Sequence, residues 1–330
     1  MRRGLLAAVA LSALVLTGCG GRSSSSPDAQ RDQGPNRTPS SSRTSLVPHT
    51  ATARLAPWRL PVASARQALV PLGGGRVLLA GGLLAGDVST GAVTQVDLTT
   101  GRTTPAPPLA VPVHDVAAGL AGGAPLVVGG GNATEQDLVQ ARQGQGWRVV
   151  GHLPTTRSDL GVVTLGGHAY VLGGYDGTGT PTQILSVDAH GRSRTVGHLV
   201  RGVRYAATAL VGHTAYVLGG EVLGQELSTV QRVDLRTGRT RVVARLPGPL
   251  GHAAAAAVGG RILLLGGRTS PDRQTSAMWW FDPVSRSFTP AGHLPFAVSD
   301  AAVASYRHDV WLLGGEDPSV TDRVAFVRVR

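Results

Sequence analysis

The chain has 330 residues, including 46 Gly and 21 Pro, and a formal net charge of +11. Its 31 basic residues are all Arg, its only cysteine is Cys19, and aromatics make up 4%. These counts exclude a disulfide-stapled fold, a multi-cysteine zinc site, and every chemistry that needs a lysine, whether Schiff base, lysine nucleophile or P-loop.

Residues 1–18 read as an export signal. Arg2 and Arg3 supply the positive end, and Leu5 to Thr17 form a largely apolar run, shorter than the about 20 residues a spanning helix needs. The run ends in Leu16-Thr17-Gly18-Cys19, which resembles the lipobox of bacterial lipoproteins. That resemblance implies cleavage before Cys19 and acylation of the cysteine by chains such as palmitate. The protein is then expected on the extracytoplasmic side of the cell membrane, each buried methylene adding about 0.8 kcal/mol to anchoring.

Residues 19–54 carry the clusters Ser23–Ser26 and Ser40–Ser42 with Pro27, Pro35, Pro39 and Pro48 between and around them. Such a stretch cannot bury enough apolar surface to offset its ordering entropy, so a disordered tether of roughly 30 Å is expected. Residues 1–54 hold seven Arg and two Asp, whereas residues 55–330 hold 24 Arg and 18 acids. In sequence the body's arginines are dispersed and not interleaved with aromatics, which argues against a nucleic-acid partner.

From residue 55 onward a repeat dominates. An apolar tetrad followed by Gly-Gly recurs at Gly81, Gly129, Gly173, Gly219, Gly266 and Gly314, with spacings of 48, 44, 46, 47 and 48. A period in this range fits four-stranded propeller blades. One unit reads in full: a small-residue strand at 160–165, a turn at Gly166-Gly167-His168, a second strand at 169–172, a loop at 175–181, and strands at 184–188 and 194–199. Third strands exit through Asp-rich turns such as Val96-Asp97-Leu98-Thr99-Thr100-Gly101, where Asp caps its own backbone and Gly takes the left-handed position.

Trp147, Leu153-Pro154 and Arg157, with the Gly-Gly pairs and Phe281-Asp282-Pro283, resemble the kelch repeat family. The resemblance covers about 55–330 and implies an all-β, six-bladed propeller. The last unit stops after its third strand at 324–330, while residues 51–60 have fourth-strand character. The N-terminal strand is therefore expected to complete the last blade.

The short hairpin turns fall on one face of such a ring, and the variable loops after each Gly-Gly fall on the other. Binding residues concentrate on variable loops held by a rigid scaffold. Counting fourteen residues back from each Gly-Gly reaches Gln67, Asp115, Asp159, Tyr205, His252 and Asp300 at the rim of the central channel. Arg66, His114 and Arg204 lie one position earlier, and Tyr175, Asp176, Glu221, Arg268, Glu316 and Asp317 follow the Gly-Gly pairs. The candidate ligand-binding set is Arg66, Gln67, Asp115, Asp159, Arg204, Tyr205, Glu221, His252, Asp300 and Glu316.

The sequence thus predicts a lipid-anchored propeller that binds a protein or carbohydrate ligand through its loop face, with no cofactor and no metal. One carboxylate per blade spaces potential metal ligands widely, and copper-radical chemistry of the galactose-oxidase type needs a cysteine the body lacks. The alternative is a carbohydrate-active enzyme of the mutarotase or epimerase type, using the channel-mouth carboxylates with His252 for acid–base work. The six-bladed sialic-acid mutarotases share the expected architecture, but none of their signature residues can be matched here.

Overall fold

The computed structural model describes residues 50–330; the signal segment, Cys19 and most of the tether lie outside the described residues. The second strands are near-continuous apolar runs buried on both faces, as in Arg76–Ala80, Thr214–Leu218 and Arg261–Leu265, and paired glycines end the second strand of each unit. The result is six four-stranded antiparallel sheets, accompanied by three two-stranded hairpins, with no helix among the described residues. The third sheet is representative. Gly161–Leu165, His168–Leu172, Gln183–Val187 and Ser193–His198 pair in chain order.

The last sheet is assembled differently. Ala302–Tyr306, Asp309–Leu313 and Val324–Val329 pair in order, and Ala51–Leu55 lies on the outer edge of Val324–Val329, in register from Ala51↔Val329 to Leu55↔Ala325. Residues 51–54, whose composition placed them in the tether, are therefore strand. Their alternating pattern of half-buried and exposed positions fits an outer strand with one face covered.

Apolar burial sits between the sheets rather than within any one of them. Six buried clusters join successive sheets, and one of them joins the last sheet to the first through Val77, Val96, Trp311 and Phe326, with Leu60 and Trp58 packed alongside. Each sheet therefore depends on both neighbours, which is the packing logic of a propeller. The innermost strands crowd around the axis and carry small residues. A Cβ on Gly161 would lie 2.2 Å from the Thr208 side chain of the next sheet.

The Gly-Gly pairs weld each sheet to the next. The first glycine of each pair has φ of 60–68°, and a Cβ there would stand 2.1–2.5 Å from a carbonyl oxygen at the entry to the following sheet. The second glycine's amide donates to that same carbonyl: Gly82 to Val113, Gly174 to Val203, Gly267 to Val298 and, from the last sheet to the first, Gly315 to Ser64. No residue with a side chain permits this approach.

Candidate functional site

The chain enters each innermost strand through a residue in left-handed conformation: Arg66 (φ 58°), Asp115 (50°), Asp159 (58°), Tyr205 (52°), His252 (56°) and Asp300 (56°). Backbone amides link these residues across sheet boundaries. Asp159 N donates to Asp115 O, Tyr205 N to Asp159 O, His252 N to Tyr205 O, Asp300 N to His252 O, and Arg66 N to Asp300 O, at 2.9–3.0 Å. They form a belt around the central channel. Asp and His visit this backbone more readily than most residues, but for Arg and Tyr it costs about 1–2 kcal/mol each relative to glycine.

The belt corrects the sequence reading at one position. Arg66, not Gln67, is the first sheet's member. The first strand carries an extra residue at a bulge before its hairpin turn, with a register shift between Pro71 and Gly73, so a fixed count of fourteen back from Gly81 stops one short. Gln67 lies beside the belt, its amide bonded to Ser64 Oγ, and it still lines the same cavity.

A second layer lies directly above. The residue before each belt member bridges to the residue after the Gly-Gly pair: His114 to Gly131, Ser158 to Tyr175, Arg204 to Glu221, Gly251 to Arg268 and Ser299 to Glu316. This brings Glu221, Arg268 and Glu316 onto the belt from the variable loops, with Arg204 joining them from the strand entry. Arg66 donates from Nε to Glu316 Oε1 (2.7 Å) and from Nη1 to Asp115 Oδ2 (3.1 Å) and Tyr205 Oη (3.4 Å). Arg204 Nη2 lies 2.6 Å from Glu221 Oε1, and its Nη1 is 3.6 Å from Asp159 Oδ2. Arg268 Nη2 joins Asp300 Oδ2 at 3.1 Å and also Glu316.

His252 is the centre of the second half of the network. Its Nδ1 lies 2.7 Å from Asp300 Oδ1 and its Nε2 lies 3.3 Å from Glu221 Oε2, while Tyr205 stacks on its ring with centroids 3.8 Å apart. Burial disfavours charge on His252, but the two carboxylates outweigh it and push the imidazole up to about 9. The hydrogen bond from His252, with help from Arg204, holds Glu221 down at about 2. Asp300 is held below its ordinary range: burial opposes the carboxylate, and His252 and the arginines prevail.

Asp115 and Asp159 behave in the opposite way. Burial, followed by the negative charge of Asp115, pushes Asp159 up to about 8. Asp115 itself is raised by burial against the pull of Arg66. Five carboxyl groups meet three guanidinium groups and one imidazolium here, so negative charge is in excess, and the excess falls on these two aspartates. The site therefore pairs a half around His252, in which His252, Arg204 and Arg268 are matched by Glu221, Asp300 and Glu316, with a half that holds a proton at neutral pH.

The belt lines an open cavity of about 150 Å³ whose wall is mainly polar. The carboxylates lie deepest and the guanidinium groups nearest solvent, with side-chain exposure of 3% for Asp159 against 28% for Arg204. All ten candidate binding residues lie in the belt, the layer above it or the cavity wall. Two loop acids named from sequence do not join them: Asp176 caps its own loop through the amides of Thr178 and Gly179, and Asp317 pairs with Arg323. His114 does join, with Nε2 3.4 Å from Asp115 and Nδ1 2.8 Å from Ser89 Oγ. Among the described residues no group of three or more His, Cys, Asp or Glu is arranged to hold a metal ion.

A family profile described as the Kelch motif matches residues 249–295, the fifth sheet with its flanking turns. This unit of the chain carries a Kelch motif. The match takes in His252, so the belt is part of the repeat itself rather than an insertion into it. Among solved structures, that of YjhT is similar with a TM-score of 0.71 and 15% sequence identity, over 82% of this chain and 98% of that chain. At that identity the likeness is one of fold. No curated protein matches the sequence.

Proposed function

We propose that this Kelch-type propeller is a binding module that takes its ligand at the loop-face mouth of the central channel, and that acylated Cys19 holds it on the extracytoplasmic side of the cell membrane. One observation carries the first half of this reading. All six belt positions are left-handed, where glycine costs nothing, yet they are occupied by Arg, Asp, Asp, Tyr, His and Asp. Strain retained at equivalent positions argues that the side chains are kept for what they contact.

The layering of charge supports a ligand that approaches from the loop face and meets Arg204, Arg268 and Arg66 before the carboxylates. Screening sugars, peptides and divalent cations by thermal shift tests this. A ligand at about 100 times its dissociation constant adds about 2.7 kcal/mol, raising the melting temperature by about 5 °C. Asp159→Asn with Asp300→Asn removes the shift if the mouth is the site. A shift that survives the double substitution overturns it, and a partner read through many loops tolerates both changes.

A second reading, catalysis on a carbohydrate, draws on a different observation. Asp159, held protonated near neutral pH, sits beside Tyr205 on a cavity wall that His252 also lines, and a carboxylic acid of that kind is suited to general acid work. Turnover of a sugar abolished by Asp159→Asn alone favours this reading over simple binding. For the anchor, Cys19→Ser is expected to release the protein from the membrane fraction after a high-salt wash, and retention there refutes lipidation.

A further inference from the structure

The seam between the last sheet and the first differs from the other seams. Where the third and fourth sheets meet, Gly197 of the outer strand lies against Gly238 in the turn of the next sheet. At the last seam the equivalent residue is Trp58, whose ring covers Gly101 of the first sheet's turn. With Tyr306, Trp311 and Phe326 it lines a groove of about 230 Å³ that also holds Arg54, Arg307 and Arg328. A neighbouring cavity of about 310 Å³ shares Arg54, Phe326 and Arg328 and extends the groove to Thr50.

The arginines here are poorly compensated. Arg54 and Arg328 stack on the same Phe326 ring, 4.8 and 5.4 Å from its centroid, so two like charges share one support. The acid lining the groove is Asp309, and it reaches Arg328 only at 3.9 Å. Arg307 lies over Tyr306 at 5.3 Å. Two or three guanidinium groups converging on one opening match the geometry of a phosphate group, and Trp and Tyr side chains are favoured at membrane–water interfaces.

We propose that this groove docks the propeller onto anionic phospholipid headgroups. The position of the groove favours a membrane over a soluble phosphate. It lies where the chain enters the folded body, and thirty residues separate Cys19 from Thr50, a reach of at most about 100 Å even when fully extended. The choice of a membrane as the occupant and the orientation of the propeller rest on the proposed lipid anchor, but the groove's affinity for a phosphate group does not.

The test uses residues 19–330, the chain left after signal cleavage, carrying Cys19→Ser so that neither the apolar signal nor an acyl group contributes, sedimented with phosphatidylcholine vesicles with or without phosphatidylglycerol. Binding is expected only with phosphatidylglycerol and is expected to weaken as salt is added. Arg54→Gln with Arg328→Gln is expected to weaken it about thirty-fold, at about 1 kcal/mol for each basic residue near the surface. Arg54→Lys with Arg328→Lys keeps most of the binding, as does Arg236→Gln with Arg286→Gln on distant turns.

Equal binding to both vesicle types, or full binding by the Arg54→Gln/Arg328→Gln protein with an unchanged melting curve, overturns the proposal. So does stabilisation by inorganic phosphate or glycerol 3-phosphate without vesicle binding, which would assign the groove to a soluble ligand. Because these measurements use unacylated protein, the groove and the anchor can fail separately.

Discussion

At the scale of single residues, the channel mouth is a set of opposed proton affinities. His252 at about 9 and Asp159 at about 8 both stand above their unfolded values, so the folded protein binds more protons than the unfolded chain. For Asp159 the excess spans roughly pH 4–8, and for His252 roughly pH 6.5–9. Stability falls with rising pH wherever the native state holds more protons. His252's contribution is complete below its unfolded value and is lost as pH rises through about 9. Buried Asp159 is progressively penalised above about 4, until it ionises near 8. Glu221, at about 2, contributes above its unfolded value and loses that contribution in strong acid. The melting temperature is therefore expected to peak near pH 4–5 and decline toward pH 9. Asp159→Asn is expected to flatten the decline and raise the melting temperature at pH 8 by about 2–4 °C. Melting curves from pH 4 to 9 check it; an unchanged slope in the variant assigns the decline to other groups. The belt was legible in the sequence because a repeat fixes the distance from each Gly-Gly to each strand entry. Arg66 was legible only as the neighbour of Gln67, because one extra residue at the bulge in the first sheet's inner strand leaves that unit's count one short. The pairing of Arg66 with Glu316, 250 positions away, is a product of the ring and has no local sign.

At the scale of elements, glycine marks where one sheet touches the next. The Gly-Gly pairs, the short turns and the Asp-capped exits were readable because each answers a local backbone demand. The outer-strand contacts were not readable, because they depend on what faces them. Gly101 shows the difference. It looks like another turn glycine, and its φ of 74° accounts for that. It also lies beneath Trp58, and a Cβ there would meet the indole Cγ at 2.2 Å. Gly101→Ala combines an unfavourable backbone with this clash and is expected to cost about 2–4 kcal/mol. Trp58→Gly, the residue found at the matching place in other units, is expected to recover part of that loss and to expose one wall of the basic groove. A double-mutant cycle read by urea denaturation measures the coupling, for which about 1–2 kcal/mol is expected between residues in contact. Strict additivity would mean that the indole moves aside freely and that the seam is loosely packed. The same long-range placement hid the groove. Arg54 and Arg328 are far apart in a sequence whose arginines look evenly spread, and they face one ring only because Ala51–Leu55 lies beside Val324–Val329.

At the scale of the whole molecule, the question is what holds the ring as a single cooperative unit. Six interfaces of similar construction carry the buried apolar surface, and five of them join sheets that follow one another in the chain. The sixth, between the last sheet and the first, has no short connection to support it. It is made by the cluster around Trp311, Phe326, Val77 and Leu60 and by the bond from Gly315 N to Ser64 O, with Ala51–Leu55 covering Val324–Val329. Removing residues 51–61 strips Trp58 and Leu60 from that cluster and leaves Val324–Val329 as an unpaired edge, with its backbone groups facing water. Without the sixth interface the ring becomes an open array, and open arrays of repeats unfold by nearest-neighbour steps rather than in one transition. The truncated protein is therefore expected to lose the single sharp melting transition of the parent and to expose the last sheet first in amide exchange. A synthetic peptide of residues 50–61 added in excess is expected to restore sharpness in proportion to its concentration, by mass action on the folded ring. If the truncated chain melts as sharply and at the same temperature as the parent, the N-terminal strand is an accessory, and closure rests on the glycine bond and the inner strands alone.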